Sequence, residues 1–213
     1  MMPDGLPRCD WAWSDPLSLR YHDEEWGVPV TEDRRLFEFL VLEGAQAGLS
    51  WRTVLAKRDA YRKAFFGFDI DRVAQFIPAD VDRLLNNPDL IRNRAKLASA
   101  VHNAQCAVEL AATNRSLREH LWDLAGNASL INRWERASDV PSQTARSLAM
   151  SRDLKRRGFQ FVGPTICYAF MQATGMVQDH LVGCFRHAAL SPSKGSEALQ
   201  WSVEKFQGQT EVP

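Results

Sequence analysis

Two helical segments joined by a short apolar link constrain the fold of this chain more than any other feature. A basic helix opens at Ser142 or Thr144 and stops at Gly158, the residue type that most often follows a helix C-terminus. Gly163 and Pro164 start the next helix, because proline suits the first helical turn. Only FQFV separates Gly158 from Gly163. This pattern predicts a helix-hairpin-helix, with an ordinary helical corner as the alternative.

Apolar residues recur at helical spacing along most of the remaining sequence, so the predicted fold class is all-α. Residues 127–141 show no clear period and are not assigned. We expect one domain over residues 1–190 and a weakly structured tail over residues 191–213, which are rich in turn formers. One further helix is predicted after a Thr31 cap, and another between a Ser116 cap and Gly126. The remaining predicted helices run from Ser50 or Trp51 to Phe65, from Asp69 to Ile77, from Asp80 to Leu85 and from about Leu90 to Leu110, with Pro78 dividing the two short ones.

The charge balance of the chain bears on its partners. Its 213 residues include 26 Lys and Arg and 26 Asp and Glu, giving a formal net charge of zero. A balanced charge argues weakly against a DNA partner, although a basic face can be offset by an acidic face elsewhere. The sequence has no apolar run of the ~20 residues that a membrane span needs, and its start does not resemble a signal peptide. We therefore expect a cytoplasmic protein without a membrane partner.

Two Cys/His pairs at opposite ends of the chain suggest a metal site. His180 and Cys184 are four residues apart, a spacing that places two side chains on one face of a helix. Cys9 and His22 supply a second thiolate and a second imidazole. Two sulfur and two nitrogen ligands form the tetrahedral set that zinc favours in closed structural sites. The alternative is that the cysteines are small buried hydrophobes.

The segment LEGAQAGLSW, residues 42–51, is a candidate binding pocket. Glu43 follows a run of apolar residues, so loss of water should raise its pKa unless a cation or hydrogen-bond donor holds it ionised. Trp51 ends the segment, and Tyr21 adjoins the possible ligand His22. A carboxylate between aromatic faces suits a flat cationic ring. The alternative is a solvated acid at a helix end beside an ordinary core tryptophan.

Six segments, which occur in order across roughly residues 9–187, carry a family pattern: CDW at 9–11, YHDEEWGVP at 21–29, LEGAQAGLSW at 42–51, IRNRAK at 91–96, KRRGFQFVGPTICYAFMQATG at 155–175 and QDHLVGC at 178–184. Together they resemble the 3-methyladenine DNA glycosylase I family. The resemblance implies a helix-hairpin-helix glycosylase fold in which a DNA-binding groove lies between two helical lobes. It also implies one structural zinc per chain that ties the N- and C-terminal segments together through Cys9, His22, His180 and Cys184.

The same resemblance implies an activity and assigns roles to residues. The enzyme would flip an N3-alkylated adenine out of alkylated double-stranded DNA and hydrolyse its N-glycosidic bond. The sequence itself does not reveal the oligomeric state, but a monomer without a protein partner suits an enzyme that must bind around DNA, and we expect that state. An apolar side chain inserted into the DNA would fill the gap left by the flipped base. The implied residues are Glu43 for catalysis, Tyr21, Trp51, Trp11 and Trp26 for the base pocket, and Leu49, Gln46, Gly163 and Arg157 for DNA contacts.

Three alternatives remain open from the sequence. The chain could be a non-catalytic, zinc-stabilised DNA-binding module, or a glycosylase with a different lesion specificity. A zinc hydrolase with Glu43 as general base is disfavoured, because four protein ligands leave no coordination position for water. Many helix-hairpin-helix glycosylases carry a catalytic aspartate just after the hairpin. Asp179 falls near that place, but we expect it only to orient the neighbouring His180.

Overall fold

The structure is a computed structural model that describes residues 5–191, so the tail expected over residues 191–213 lies outside the described residues except for Ser191. No helix in this part of the chain is long and apolar enough to cross a lipid bilayer. The α-helices are α1 (Pro16–Glu24), α2 (Asp33–Gln46), α3 (Trp51–Ala64), α4 (Ile70–Ala74), α5 (Pro78–Leu85), α6 (Arg94–Ala111), α7 (Leu117–Ala125), α8 (Ala145–Arg156), α9 (Pro164–Ala173) and α10 (Phe185–Leu190), and the strands are β1 (Leu130–Ile131) and β2 (Val177–Gln178).

The hairpin of α8 and α9 has the boundaries that the sequence predicts. The Thr144 hydroxyl accepts a hydrogen bond from the backbone N–H of Ser147 and caps α8. Gly158 follows the helix with φ of 88°, a left-handed conformation that glycine adopts without steric cost. Pro164 occupies the first turn of α9, and α8 packs directly against α9. The helix-hairpin-helix prediction is confirmed.

Helix α2 lies at the centre of the fold. It contacts α3, α6, α7 and α9, and ten of its fourteen residues are buried, including the fully buried Leu36, Phe37 and Leu42. Each such side chain stabilises the fold by about 1.5–3 kcal/mol relative to an exposed position. The predicted Thr31 cap is wrong: α2 begins at Asp33 after Glu32, which makes no side-chain capping bond. Burial of the apolar residues, rather than a cap, determines where this helix lies.

Several other helix boundaries differ from the predictions for local reasons. Helix α6 begins at Arg94 rather than near Leu90, because the Asn93 side chain accepts a hydrogen bond from Lys96 N and caps the helix there. Pro78 is the first residue of α5 and does not precede it. Helix α4 ends at Ala74, three residues before the predicted Ile77, although Asp69 caps its start as expected. The boundaries of two other helices agree with the predictions to within a residue: Ser50 caps α3, which ends at Ala64, and α7 starts at a Ser116–Glu119 capping box and is followed by Gly126.

One feature departs from the all-α class. Strands β1 and β2 form a two-stranded parallel sheet with Leu130 opposite Val177 and Ile131 opposite Gln178. Strands of two residues are too short to show the alternation by which a strand is read from sequence. The pair accounts for part of the unassigned segment 127–141, and it places the residues after β1 beside those after β2.

Candidate active site and metal centre

The four residues of the two Cys/His pairs come together in one buried cluster. Their ligand atoms all lie within 4.8 Å of one another. Nε2 of His22 is 3.2 Å from Nδ1 of His180 and 3.4 Å from Sγ of Cys184. Sγ of Cys9 is 3.8 Å from Nδ1 of His180. Side chains distant in sequence therefore converge on a single point.

The spacing of these atoms fits a tetrahedral zinc ion. Zn–N bonds of about 2.0–2.1 Å and Zn–S bonds of about 2.3 Å would place two nitrogens roughly 3.3 Å apart and a nitrogen and a sulfur roughly 3.6 Å apart. The observed N–N distance is 3.2 Å, and three of the four N–S distances lie between 3.4 and 3.8 Å. The four side chains therefore form a cluster that could hold a metal ion, and these distances are compatible with tetrahedral coordination.

The backbone at the second pair differs from the prediction. His180 and Cys184 do not share a helix; they lie in the turn between β2 and α10, where Cys184 N donates to Leu181 O at 2.8 Å. A turn closed in this way brings residues four apart to the same side, as one turn of helix would. The prediction that His180 and Cys184 lie close together is confirmed, but the prediction that they lie on one face of a helix is wrong.

Hydrogen bonds around the cluster orient both imidazoles. His22 Nδ1 lies 2.7 Å from Asp23 Oδ1, and Arg8 donates to both oxygens of Asp23. His180 Nε2 lies 3.0 Å from the Trp26 carbonyl oxygen, which can only accept, so this nitrogen carries the proton and Nδ1 is free to bind a metal. Outer partners of this kind fix the tautomer of metal-binding histidines.

Asp179 has a different environment from the one expected. Its carboxylate is 2% exposed and makes no hydrogen bond to the His180 ring, which the Trp26 carbonyl orients instead. Four donors saturate its two oxygens, so the carboxylate joins the segments that follow β1 and β2 to α9. The donors are the side chains of Asn132 at 2.7 Å, Trp134 at 2.8 Å, Tyr168 at 2.5 Å and Gln172 at 2.8 Å.

A cavity of about 250 Å³ contains the predicted pocket residues. The Tyr21 and Trp51 rings are tilted, with centroids 5.3 Å apart, and the Trp11 and Trp26 rings meet edge to face at 5.1 Å. The described structure thus brings together all five side chains expected at the pocket. Its lining consists of Trp11, Tyr21, Trp26, Glu43, Gln46 and Trp51 together with Ala169 and Gln172 of α9.

Glu43 is a buried carboxyl group in the wall of this cavity. It lies near the end of α2 and is 4% exposed, and burial raises its pKa to about 8. Within residues 5–191 its side chain makes no hydrogen bond or ion pair. Burial and the nearby Glu43 together raise the pKa of Tyr21. An uncompensated buried carboxyl beside aromatic rings is costly for folding and typical of a functional site.

A second cavity of about 260 Å³ extends from Glu43 toward α9. Its walls are Gln46 at the end of α2, Gly48 and Leu49 in the loop that follows, and the first turns of α9. Gly48 has φ of 75°, and Leu49 is 41% exposed. An exposed leucine at this turn, beside an opening into the pocket, is available to contact a ligand larger than a single ring.

The two hairpin residues expected to contact DNA lie outside these cavities. Gly163 caps α9, and a Cβ added there would meet no atom within 4 Å, so the backbone at the start of this helix is open. Arg157 follows α8 and donates to Asp153 Oδ2 at 3.0 Å, with 39% of its side chain exposed. Asp153 also binds Arg156 and His120. Arg157 is therefore partly neutralised in the described structure.

A third cavity of about 370 Å³ adjoins the pocket. It shares Trp11, Trp26, Ala169 and Gln172 with the pocket and extends to Asp179. Ala169 and Gln172 are pocket residues that the sequence pattern does not predict, because a small residue and an amide on an apolar helix carry no pattern that marks a pocket. Their only signal is their position inside the segment 155–175.

Comparison with known proteins gives consistent matches. A family model described as methyladenine glycosylase matches residues 11–187. The chain is 44% identical over 179 residues to DNA-3-methyladenine glycosylase 1 of Escherichia coli (strain K12), covering 84% of this chain and 96% of that protein. A crystal structure of 3-methyladenine DNA glycosylase I matches with a TM-score of 0.82 and 46% identity, covering 84% of this chain and 98% of the other.

Two further crystal structures described as 3-methyladenine DNA glycosylase I are of substituted chains. Each is 36% identical to this chain with a TM-score of 0.80, covering 83% of this chain and 95% of the other. One has a tyrosine replaced by phenylalanine and is in complex with 3-methyladenine. The other, from Staphylococcus aureus, has a glutamate replaced by glutamine.

Proposed function

Because the chain belongs to the methyladenine glycosylase family, we propose that it flips N3-alkylated adenine out of double-stranded DNA and hydrolyses the N-glycosidic bond. One observation carries this function: Glu43 is buried and uncompensated in a cavity walled by Tyr21 and Trp51. A non-catalytic DNA-binding module has no use for such a carboxyl, whose burial destabilises the fold.

The spacing of two substituted residues in the relatives supports the roles of Tyr21 and Glu43. The tyrosine and the glutamate replaced in the two 36% identical structures are 22 positions apart in their numbering. Tyr21 and Glu43 are also 22 positions apart. The relative with the tyrosine replaced is in complex with 3-methyladenine. We therefore take Tyr21 and Glu43 as the counterparts of residues that were chosen for study in those enzymes.

The pocket suits the chemistry of the alkylated base. Methylation at N3 gives the adenine of a DNA nucleotide a positive charge, which is spread over a flat ring. Tyr21 and Trp51 offer aromatic faces that attract such a cation, and the buried Glu43 offers a counter-charge where water does not screen it. Entry of the cation lowers the pKa of Glu43 and favours its ionised form. Unmodified adenine is neutral and gains neither attraction.

The reaction needs little acid catalysis, because the base leaves as a neutral molecule. The C1′–N9 bond breaks, its electron pair moves to the base, and the positive charge passes to the sugar as an oxocarbenium-like centre. Water then forms the new bond at C1′ and releases a proton, which leaves an abasic site. The task of the pocket is to select and orient the base and to keep negative charge near the reacting nucleotide.

The surface beside the pocket suits DNA. Leu49 is exposed at the turn after α2, where it can enter the stack that the flipped base vacates. Gln46 lines the second cavity together with Leu49 and Glu43. The open backbone at the start of α9, next to Gly163, is an N-terminus that favours a phosphate. Arg157 is close in sequence and can exchange Asp153 for a phosphate.

We assign a structural zinc to the Cys/His cluster. Cys9, His22, His180 and Cys184 would hold the ion and leave no position for a reacting water, so it would stabilise the fold and take no part in hydrolysis. It would link the N-terminal segment to the turn before α10. We further propose one catalytic domain over residues 1–190 that acts as a monomer. The four free cysteines suit the reducing cytoplasm.

Release of free bases from methylated duplex DNA tests the proposed function. The released bases are separated by chromatography, and unmethylated DNA of the same sequence is the control. We expect 3-methyladenine as the main product and no release of adenine from the control. Folded protein that binds methylated DNA but releases no base would support the binding-module alternative instead.

A further inference from the structure

Lys96 is the last residue of the segment IRNRAK, residues 91–96, which belongs neither to the pocket nor to the hairpin. It lies in the first turn of α6, where Asn93 caps the helix. Its Nζ donates to the backbone oxygens of Ala45 at 2.8 Å and Ala47 at 2.5 Å. Lys96 therefore binds the C-terminal end of α2 through two residues, Ala45 and Ala47, that lie between Glu43 and Leu49 in the sequence.

Lys96 supplies a hydrogen-bond donor to two backbone carbonyls at this helix end. The last carbonyls of a helix have no partner within the helix. Ala47 N donates to Gly44 O and Leu49 N donates to Gln46 O, whereas the intervening Ala45 O and the following Ala47 O receive the ammonium of Lys96. A cation at a helix C-terminus also interacts favourably with the helix dipole. Without it, two carbonyls at this turn would lose their protein donor.

A second residue of α6 holds the hairpin loop in a similar way. The Asn103 side chain is 2% exposed; its Nδ2 donates to Gln160 O at 3.0 Å, and its Oδ1 accepts from Gln160 N at 2.8 Å. Asn103 lies seven residues after Lys96, which is two helical turns and the same side of α6. The last turn of α2 also lies close to the hairpin loop: a Cβ added to Gly44 of α2 would lie 3.1 Å from Phe161 Cβ.

We propose that α6 positions the two DNA-facing loops relative to each other, with Lys96 as the positioning residue for the turn that carries Leu49 and Asn103 as the positioning residue for the hairpin loop. This inference rests on the proposed function. Lys96 lies outside the cavity in which the base binds, so its effect is on extraction of the base from the duplex and not on affinity for the free base. Misplacement by about 1 Å is enough to lower a rate as much as a hundredfold.

The experiment compares Lys96→Met with Lys57→Met and Lys96→Arg. Lys57 also donates its ammonium to a loop carbonyl, Pro88 O at 3.1 Å, but it does so away from the pocket lining, which makes it a matched control. Two quantities are measured for each variant: kcat/KM for release of 3-methyladenine from methylated duplex DNA, and the Kd for free 3-methyladenine from quenching of the pocket tryptophans.

We expect Lys96→Met to lower kcat/KM on duplex DNA roughly tenfold or more, with the Kd for the free base within about twofold of the wild type. Lys96→Arg keeps a cationic donor and should recover most of the rate, and Lys57→Met should match the wild type in both measurements. Unchanged excision by Lys96→Met overturns the inference, as does a loss of base affinity that parallels the loss of rate. A wild-type protein that releases no base contradicts the proposed function itself.

Discussion

Nε2 of His22 lies 3.2 Å from Nδ1 of His180, although the two residues are 158 positions apart in the chain. The rings meet nearly at right angles, and the Cys184 thiol is 3.4 Å from the first nitrogen and 3.6 Å from the second. Three of the proposed ligands thus converge from two distant segments. A tetrahedral ion at their centre would join the N-terminal segment to the turn before α10.

Removal of one ligand should remove the metal. Cys184→Ala should reduce bound zinc from about one ion per chain to near zero and lower the free energy of unfolding by several kcal/mol, because metal binding adds to folding free energy. Elemental analysis and thermal unfolding measure the two effects. Cys106→Ala is the control: this cysteine is also buried and free but lies outside the cluster. The control should retain its zinc, and a wild-type protein purified without zinc would contradict the assignment.

Replacement of Glu43 by glutamine should stabilise the ligand-free protein, and the gain in stability should increase with pH. Its pKa is raised to about 8, so the protonated carboxyl is favoured in the fold. The folded state therefore holds this proton more tightly than the unfolded state does. The resulting contribution to the free energy of unfolding is fully present below the unfolded pKa near 4.5 and is lost as the pH rises through the folded pKa of about 8. Glu43→Gln remains neutral and should be more stable than the wild type by a few kcal/mol at pH 8, at ~1.4 kcal/mol per unit of pKa shift.

Thermal unfolding between pH 5 and pH 9 checks this effect. The difference in Tm between Glu43→Gln and the wild type should grow with pH up to about pH 8 and then level off. Glu109→Gln, at an exposed position on α6, is the control and should show no such trend. A Tm difference that does not depend on pH would mean that Glu43 is not strained by burial.

Truncation of Leu49 should weaken base flipping while leaving the pocket intact. Leu49→Ala removes the exposed side chain proposed to fill the gap in the DNA stack. We expect kcat/KM for methylated duplex DNA to fall roughly tenfold, which corresponds to ~1.4 kcal/mol in the transition state. The Tm should change little because the side chain is exposed. Leu17→Ala, at a similarly exposed leucine of α1, should retain full activity.

An equal loss of rate in Leu17→Ala and Leu49→Ala would contradict the proposed role of Leu49 as the side chain that fills the gap in the DNA stack. Tryptophan fluorescence in the presence of free 3-methyladenine provides an independent check on the pocket, since Trp51 and Trp11 line it. The affinity of Leu49→Ala for the free base should match that of the wild type.

Sequence features of single helices predicted the structure well. The hairpin was read correctly from Gly158, Gly163 and Pro164, whose backbone preferences act locally. The Cys/His cluster was found from side-chain chemistry, since two thiolates and two imidazoles form a ligand set wherever the backbone brings them together. The helical geometry given for His180 and Cys184 was wrong, because a turn and a helix can both bring residues four apart to the same side.

Long-range pairings could not be predicted from local pattern. The β1–β2 sheet has two residues in each strand, and the donors to Asp179 come from the unassigned segment after β1 and from α9. The hydrogen bonds from Lys96 to the end of α2 join residues about fifty positions apart. The residue spacing within IRNRAK does not predict these bonds. Contacts of this kind depend on how the helices pack, which one sequence does not specify by periodicity.

The proposed reaction and the role of Glu43 in it are tested most directly by single-turnover release of 3-methyladenine from methylated duplex DNA. The wild type, Glu43→Gln and Glu109→Gln are compared. We predict release by the wild type and Glu109→Gln at equal rates, and a rate lower by roughly a hundredfold for Glu43→Gln, which is the cost of losing about 2.7 kcal/mol of charge-dependent stabilisation. Glu43→Gln should still fold and retain its metal. Full activity in Glu43→Gln would contradict the role of the buried carboxylate, and no release by the wild type would contradict the proposed reaction.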